Sequence, residues 1–314
     1  MWTWLTQSHA QRKFVELIFD RTGKYPNWDP PSEIPVGSFG RIDKTTGNFV
    51  PEGSIYSNDF QPLLLRAGID PKSDEHQPKD CPEESEFTAW SKNVKRLELN
   101  VESHAGVPGI AAASIKGTWH VKKGTTGAVL LMNKPRMKRI SSDVLGKLSS
   151  IGLLQSVYLV TKVFYCPAFS MYLSDKSGEN ISIALLASAP VVAPVGTAGV
   201  EMRWWSDTQA GLARNGCNTE HCFTPLYELL HVRHRRNRRA SPSPERTGEQ
   251  LWVAPPLPWA SLDEDGQEVP VYIDASITFH WSISVFNDSL NRRIRIPVIL
   301  RKNQNSKNVL WASE

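Results

Sequence analysis

The chain reads as an α+β fold, a twisted and mainly antiparallel sheet with short helices. Three observations predict it. Runs rich in β-branched and aromatic residues recur from Trp90 onward, only two stretches carry a helical apolar period, and Pro and Gly interrupt the chain too often for long helices. With 314 residues, 40% of them hydrophobic, there is material for one large domain or two ordinary ones.

Residues 8–20, SHAQRKFVELIFD, predict a short amphipathic helix. Phe14, Leu17 and Ile18 recur at i, i+3 and i+4, with Ser8 as a cap and Gly23 as a stop. Such a helix packs on a sheet or, through Arg12 and Lys13, meets a membrane surface. Residues 26–35 are too Pro-rich for regular structure. In 36–56, Phe39 and Ile42 flank a strand, 44–47 turn, and Phe49 starts the return. The glycines here lack the order, the strand-to-helix setting and the lysine of a phosphate-binding loop. Residues 69–86 read as an exposed polar loop. From Lys92 the text turns strand-like, with Val94, Arg96, Glu98 and Asn100 alternating against Lys95, Leu97, Leu99 and Val101. The small residues that follow, to Ala113, weaken a packed core but permit close sheet contact.

Further on, AVLLMN at 128–133 predicts an apolar strand and KPRMKR at 134–139 a basic turn. Residues 141–154 predict a short helix, with Ser142 near its cap and Val144, Leu145, Leu148 and Ile151 on its apolar face. Then SVYLVTKVFYCPAFSMYLS, the turn DKSGEN and ISIALLASA predict a long hairpin or two neighbouring antiparallel strands. Each arm matches the roughly 9–11 residues with which a strand crosses a bilayer. Strands in lipid must close into a barrel, so a chain with two such hairpins needs many copies to do it. The uncharged stretch 181–200 holds Pro190, Pro194, Gly196 and Gly199, which favours a strand and an apolar loop over a spanning helix. Residues 271–286 and IRIPVIL near the end return to strand patterning.

The net charge of +4 is small and unevenly placed. Residues 61–100 carry six basic and eight acidic side chains, whereas 101–140 carry seven basic and one acidic. A local excess of that kind attracts an anionic membrane, nucleic acid or an acidic protein, because screening limits the field to about 10 Å. Four irregularly spaced cysteines do not make a disulfide scaffold in a chain this long and point to a reducing compartment. The first residues lack the basic region and apolar core of a secretory signal. CNTEHC, with Cys217, His221 and Cys222, lacks the second pair of a zinc module, so no metal or other cofactor is expected. No histidine, cysteine or acid constellation is specific enough to name a catalytic residue.

HVRHRRNRR, with Arg233, Arg235, Arg236, Arg238 and Arg239, has the charge to hold phosphates. The ASPSPERTG that follows builds no rigid groove, so 231–250 reads as an exposed linker open to processing or docking.

Several segments together resemble one family, the fungal branch of the gasdermin-like pore-forming proteins. They are VGSFGRIDKTTGNFVPEGSIY at 36–56, AGVPGIAAASIKG at 105–117, NKPRMKR at 133–139, VYLVTKV at 157–163, YLSDKSGENISIALLASAP at 172–190 and FTPLYELLHVRHRRNRR at 223–239. The resemblance implies a gasdermin N-terminal-like α+β domain over 1–240, the linker at 231–250, and a strand-containing tail at 251–314 that holds the domain inactive. It implies a protein that catalyses nothing, is cytoplasmic when inactive, and at the cell membrane binds acidic phospholipids, forms a homo-oligomer and inserts β-hairpins. The outcome is lytic regulated cell death, associated in fungi with heterokaryon incompatibility. An activating protease or an allelic partner protein would supply the trigger. The inserting hairpins fall at 93–132 and 157–189, and the acidic-lipid contacts at Lys134, Arg136, Lys138 and Arg139. Arg12 and Lys13 join them through their basic helix rather than a family motif. Two rival expectations remain: a soluble polyanion or nucleic-acid binder that uses 231–239, and an enzyme whose site no motif reveals.

Overall fold

A computed structural model describes residues 4–98, 102, 106–187, 202–208, 210–233, 251–269, 280–287 and 292–299, with 4–7 and the last two ranges as backbone. The described fold is α+β, mostly antiparallel sheet with three α-helices. Helix α1 spans Trp4–Thr22, and its apolar stripe of Phe14, Val15 and Ile18 is buried. It stops where expected: Gly23 is left-handed at φ 67 and donates its N–H to Phe19 O at 2.7 Å. Strands β1 (Tyr25–Pro26), β2 (Ser38–Ile42) and β3 (Phe49–Ser54) follow, then α2 (Gln61–Arg66). β4 (Lys79–Glu83), β5 (Glu86–Trp90) and β6 (Val94–Leu97) lead to β7 (Ile115–Val121), β8 (Ala128–Asn133) and β9 (Arg136–Arg139). Helix α3 (Ser142–Leu148) is capped by Ser141, whose Oγ accepts the Val144 N–H. β10 (Tyr158–Cys166), β11 (Ala168–Leu173), β12 (Asn180–Ala187), β13 (Met202–Asp207), β14 (Leu212–Cys217), β15 (Phe223–Val232) and β16 (Trp252–Val253) complete the first compact unit, Met1–Val269.

The second unit, Pro270–Glu314, holds an antiparallel hairpin of β17 (His280–Asn287) and β18 (Arg292–Ile299). The strand patterning at 271–279 lies outside the described residues. Residues 251–269 belong by their contacts to the first unit.

Three sheets make up the described part of the first unit. The largest is built on the β10–β15 pair; β1 and β16 flank β15, while β2 and β9 share the other edge of β10. Its core sets Leu159, Val160, Val163, Tyr227 and Leu229 against α3 and Phe49. Prolines sit at its edges, Pro26 in β1 and Pro51 in β3, where no ladder N–H is needed. The other two sheets have four strands each, in the orders β14-β11-β8-β5 and β13-β12-β7-β6.

Several local expectations change. Ser8, expected as a cap, lies inside α1, which begins at Trp4, and 134–139, expected as a basic turn, holds β9 from Arg136. Residues 69–86, read as a loop, contain β4, which β9 draws into the sheet by pairing Asp80 with Lys138 and Glu83 with Arg136. Residues 157–173 and 180–187 do not pair with each other as a hairpin. β11 lies between β8 and β14, and β12 between β7 and β13. Pro167 ends β10, and 174–179 carries the chain from one four-stranded layer into the other rather than back alongside.

Candidate functional site

The two four-stranded sheets are one sheet folded in half. β5 runs on into β6, β7 into β8, β11 into β12 and β13 into β14, and the order of neighbours is the same on both sides of the fold. The bends lie at 91–93, 122–127, 174–179 and 208–211, so a single crease crosses all four chains.

Side chains and turns do along the crease what ladders do elsewhere. Ser91 and Ala128 exchange bonds, with Ser91 N donating to Ala128 O at 2.9 Å and Ala128 N to Ser91 Oγ at 3.1 Å. Gly127 N donates to Ser174 Oγ at 2.7 Å and Ser174 N to Gly127 O at 2.8 Å. The buried Glu179 joins two bends: its carbonyl accepts Val121 N, one carboxylate oxygen accepts the Tyr172 hydroxyl, and the other accepts Ala210 N at 3.2 Å. Burial and the Glu179 carboxylate push the Tyr172 phenol far up, so it stays a neutral donor. Gly178, at φ 78, lies against the next bend, where a Cβ would come within 2.6 Å of Lys123 Cα. Only glycine fits there.

Inside the fold the halves bury a common apolar face. Val129, Leu131, Ala168 and Tyr172 of one half meet Ile115, Trp119, Val121, Ile181, Ile183 and Leu185 of the other. On the outside the halves differ. β8 and β11 turn Leu130, Met132, Phe169 and Met171 onto Phe14 and Ile18 of α1, so they are buried on both faces. β7 turns Lys116, Thr118 and His120 outward, with His120 exposed, and so alternates apolar and polar. Register shows how nearly the halves are continuous. Extended through the crease, the β8–β11 pairing of Ala168 with Asn133 would bring Asn180 opposite Val121; it meets His120, a slip of one. By the same extension the outer pairs, β5–β8 to β6–β7 and β11–β14 to β12–β13, slip by four. An even slip keeps side chains on their face, and the odd one needs a bulge within 174–179.

The basic residues named from sequence fall in different settings. Arg12 and Lys13 are both buried, at 8% and 6% exposure, beneath residues 261–268. Arg12 pairs with Glu268 at 3.1 Å, and its other terminal nitrogen donates to Gly266 O at 3.2 Å. Lys13 Nζ donates to Leu262 O at 3.0 Å and Glu16 at 3.1 Å, while Leu262 N donates to the second Glu16 oxygen. On β9, Arg136 lies 3.7 Å from Glu83 and Lys138 4.0 Å from Asp80, so β4 answers part of the basic run. Lys134 and Arg139 are exposed; Lys134 is left-handed at φ 45. The α1 and β9 groups have no partner in common. Arg233 is exposed, and its N–H donates to Leu251 O at 2.8 Å, so the chain leaves and rejoins the unit at adjacent points. Arg235, Arg236, Arg238 and Arg239 lie outside the described residues.

The segment 251–269, expected as the start of the tail, is a strap on the first unit. Trp252 is buried and donates to Leu145 O at 2.7 Å, the Tyr25 hydroxyl donates to Pro255 O, and 261–269 closes a small turn through Leu262 and Glu268. The signal that could have found it is the acidic run DEDGQE, which complements Arg12, Lys13 and Lys176. Beside the strap lies a cavity of about 450 Å³ lined by His9, Lys13, Thr126, Lys176, Glu264 and Asp265.

Cys166 is buried and its thiol is pushed up by desolvation, which leaves it unreactive. Among the described residues no cluster of metal-ligating side chains occurs, and no helix is long and apolar enough to cross a membrane. No protein-family model and no curated protein matches the chain.

Proposed function

We propose that the chain is a gasdermin-like pore-forming protein, inactive and cytoplasmic as folded, that acts at the cell membrane to cause lytic regulated cell death. The single observation behind this reading is the creased four-stranded sheet. Opening it requires the four bends to straighten, while each strand keeps its neighbours. The straightened inner arms, Ile115 to Asn133 and Ala168 to Ala187, exceed the roughly 9–11 residues a tilted strand needs to cross a bilayer. An opened sheet has two free edges, β5–β6 and β13–β14, which lipid does not satisfy, so many copies must join edge to edge and close. The apolar residues now packed between the halves would then face lipid, and burial there offsets the loss of the inter-half core.

Acidic phospholipids fit as the first partner, with exposed Lys134 and Arg139 making contact at once and Arg136 and Lys138 on exchanging their β4 carboxylates. Arg12 and Lys13 join only when the strap lifts. Residues 270–314 and the arginine run at 233–239 fit an inhibitory tail and a processing or docking site for a protease or partner protein. Dye release from vesicles tests the reading. Protein cut within 234–250 should empty anionic vesicles faster than neutral ones and faster than the intact chain. If neither form permeabilises anionic vesicles while keeping its far-UV circular dichroism, pore formation is wrong. Reversing the charges of Lys134, Arg136, Lys138 and Arg139 should weaken vesicle binding more at low salt than at high salt.

A further inference from the structure

The strap contacts the crease as well as the helix. Thr126, in the β7–β8 bend, donates its N–H to Glu264 Oε2 at 2.6 Å and its hydroxyl to Glu264 O at 2.8 Å. Lys176, in the β11–β12 bend, pairs with Asp265. The two bends also hold each other, with Gly124 N donating to Lys176 O at 2.9 Å. Within one turn, therefore, consecutive residues reach one bend, then the other, and Gly266 and Glu268 hold Arg12 of α1. Gly266 lies directly on the helix: at φ 77, a Cβ there would stand 2.5 Å from His9 O. Asp263 keeps the turn in shape by accepting the N–H groups of Asp265 and Gln267.

We infer that residues 261–268 are a latch that clips both inner bends of the creased sheet to α1 and holds the sheet folded. The reasons are geometric and electrostatic. The inner bends hold the most non-ladder residues of the crease, so they must change most for the sheet to straighten. They are tied to α1 by a segment distant in sequence from both, so ladder bonds on either side do not depend on it. Every cation the latch holds, Arg12, Lys13 and Lys176, is one that an anionic surface also attracts, so the strap and such a surface compete for the same charges. Pro270 follows Val269 directly, so the strap is the covalent route by which any force on residues 270–314 reaches the first unit. A cut within 234–250 leaves the strap attached by contacts alone, which lowers its effective concentration and makes it displaceable.

The inference rests on the pore reading only for what the open sheet does; how the closed sheet is held stands apart from it. Hydrogen exchange on the full chain tests the latch in two unlike ways. Glu264→Ala with Asp265→Ala removes the ionic clips, and Gly266→Ala lifts the turn off His9 without changing charge. In both variants the amides of Val121, Gly124 and Gly127 should exchange about tenfold faster or more, as expected for losing bonds to charged groups, while those of Val160 and Leu229 hold the parent rate. Exchanging the charges of the pair, Lys176→Asp with Asp265→Lys, should retain more protection than either single change. Bend amides that keep the parent rate in both variants overturn the latch, as does an equal acceleration of bends and β10–β15, which marks general destabilisation. Vesicle leakage separates the two ideas: fast-exchanging bends without leakage from anionic vesicles leave the latch standing and defeat the pore.

Discussion

The β10–β15 pair and the creased sheet are built from similar strands to opposite ends. In the first, a run of β-branched residues is packed against α3 and Phe49, and every neighbour along its edges is short and local to one end. Its one strong polar device, Glu228 accepting from Lys162 at 3.0 Å and Thr161 at 3.1 Å, ties the two strands to each other. In the second, Thr118–Ser182 and His120–Asn180 tie β7 to β12 in the same way, but a further set of polar devices sits at the bends: Ser91, Ser174, Glu179 and the Thr126 and Lys176 clips. Polar groups placed within a pair of strands fix one arrangement. The same groups placed across a fold line fix an angle, and an angle can change without exchanging neighbours. The comparison teaches that the two regions differ in where side-chain hydrogen bonds stand: the creased sheet adds a set across its fold line, and it is on these that the proposed opening would act.

The largest effect that tests this contrast is at Trp119, fully buried between the halves with its indole N–H unpartnered. Trp119→Ala should cost about 3–5 kcal/mol in denaturant unfolding. Its signature matters more than its size. Amides of β7 and β12 should lose protection while those of β10 and β15 keep theirs; equal loss in both would make the molecule one cooperative unit and break the comparison. Trp119→Phe, which removes the unpartnered donor and keeps most of the ring volume, should cost far less.

Leu159→Ala is the counterpart in β10, where the side chain is wholly buried. A loss of about 2–5 kcal/mol is expected, spread over the whole first unit because the creased sheet is anchored on β10 through Pro167 and β11. Exchange that accelerates only in the large sheet would reverse the roles assigned to the two regions. A smaller effect comes from Gly117→Ala: the added carbon would stand 2.6 Å from the Trp119 ring, in space already filled. About 1–3 kcal/mol is expected from overpacking, and pairing it with a smaller residue at 119 should recover part of it.

What the sequence made legible follows the range of the cause. Helix α1 stops at Gly23, α3 is capped at Ser141, one residue before the Ser142 the pattern favoured, and β2–β3 turns between Ile42 and Phe49, because each is decided within a few residues by capping, turn chemistry and period. The crease was not legible. β10 and β11 read as one long run broken only by Pro167, and nothing near Ser174 says that the next strand will join a different layer. Partners of β11 and β12 lie some distance away in the chain, and pairing of that kind is set by packing and not by propensity. Arg12 and Lys13 read as contacts for a membrane surface for the same reason: Glu268, which pairs with Arg12, and Leu262, whose carbonyl accepts from Lys13, stand more than two hundred residues away. The basic run at 134–139 was visible as charge, while the strand β4 that answers it read as a polar loop.

The smallest effect concerns pH and reaches only the strap. Asp263 accepts the backbone N–H groups of Gln267 and Asp265, and those bonds, with help from nearby Lys176 and Lys13, hold its carboxyl below the usual aspartate range. A depressed folded-state pKa means the unfolded turn binds a proton more readily, so the bonds contribute stability above the ordinary aspartate pKa of about 3.9 and lose it as pH falls through the lower folded value. Asp263 is largely exposed, so the contribution is small and screened by salt. Acidification from about pH 5 to below 4 should therefore loosen the 261–268 turn, read as a lower protection factor, relative to the free-peptide rate at the same pH, at Gln267 and Asp265 before β10–β15 responds. Asp263→Asn keeps an acceptor for both N–H groups and removes the titration, so it should flatten that response in the same window. If the wild-type turn and the β10–β15 amides instead lose protection together on acidification, the strap is no weaker than the strands beneath it, and the division between a fixed pair and a releasable fold loses its cheapest support.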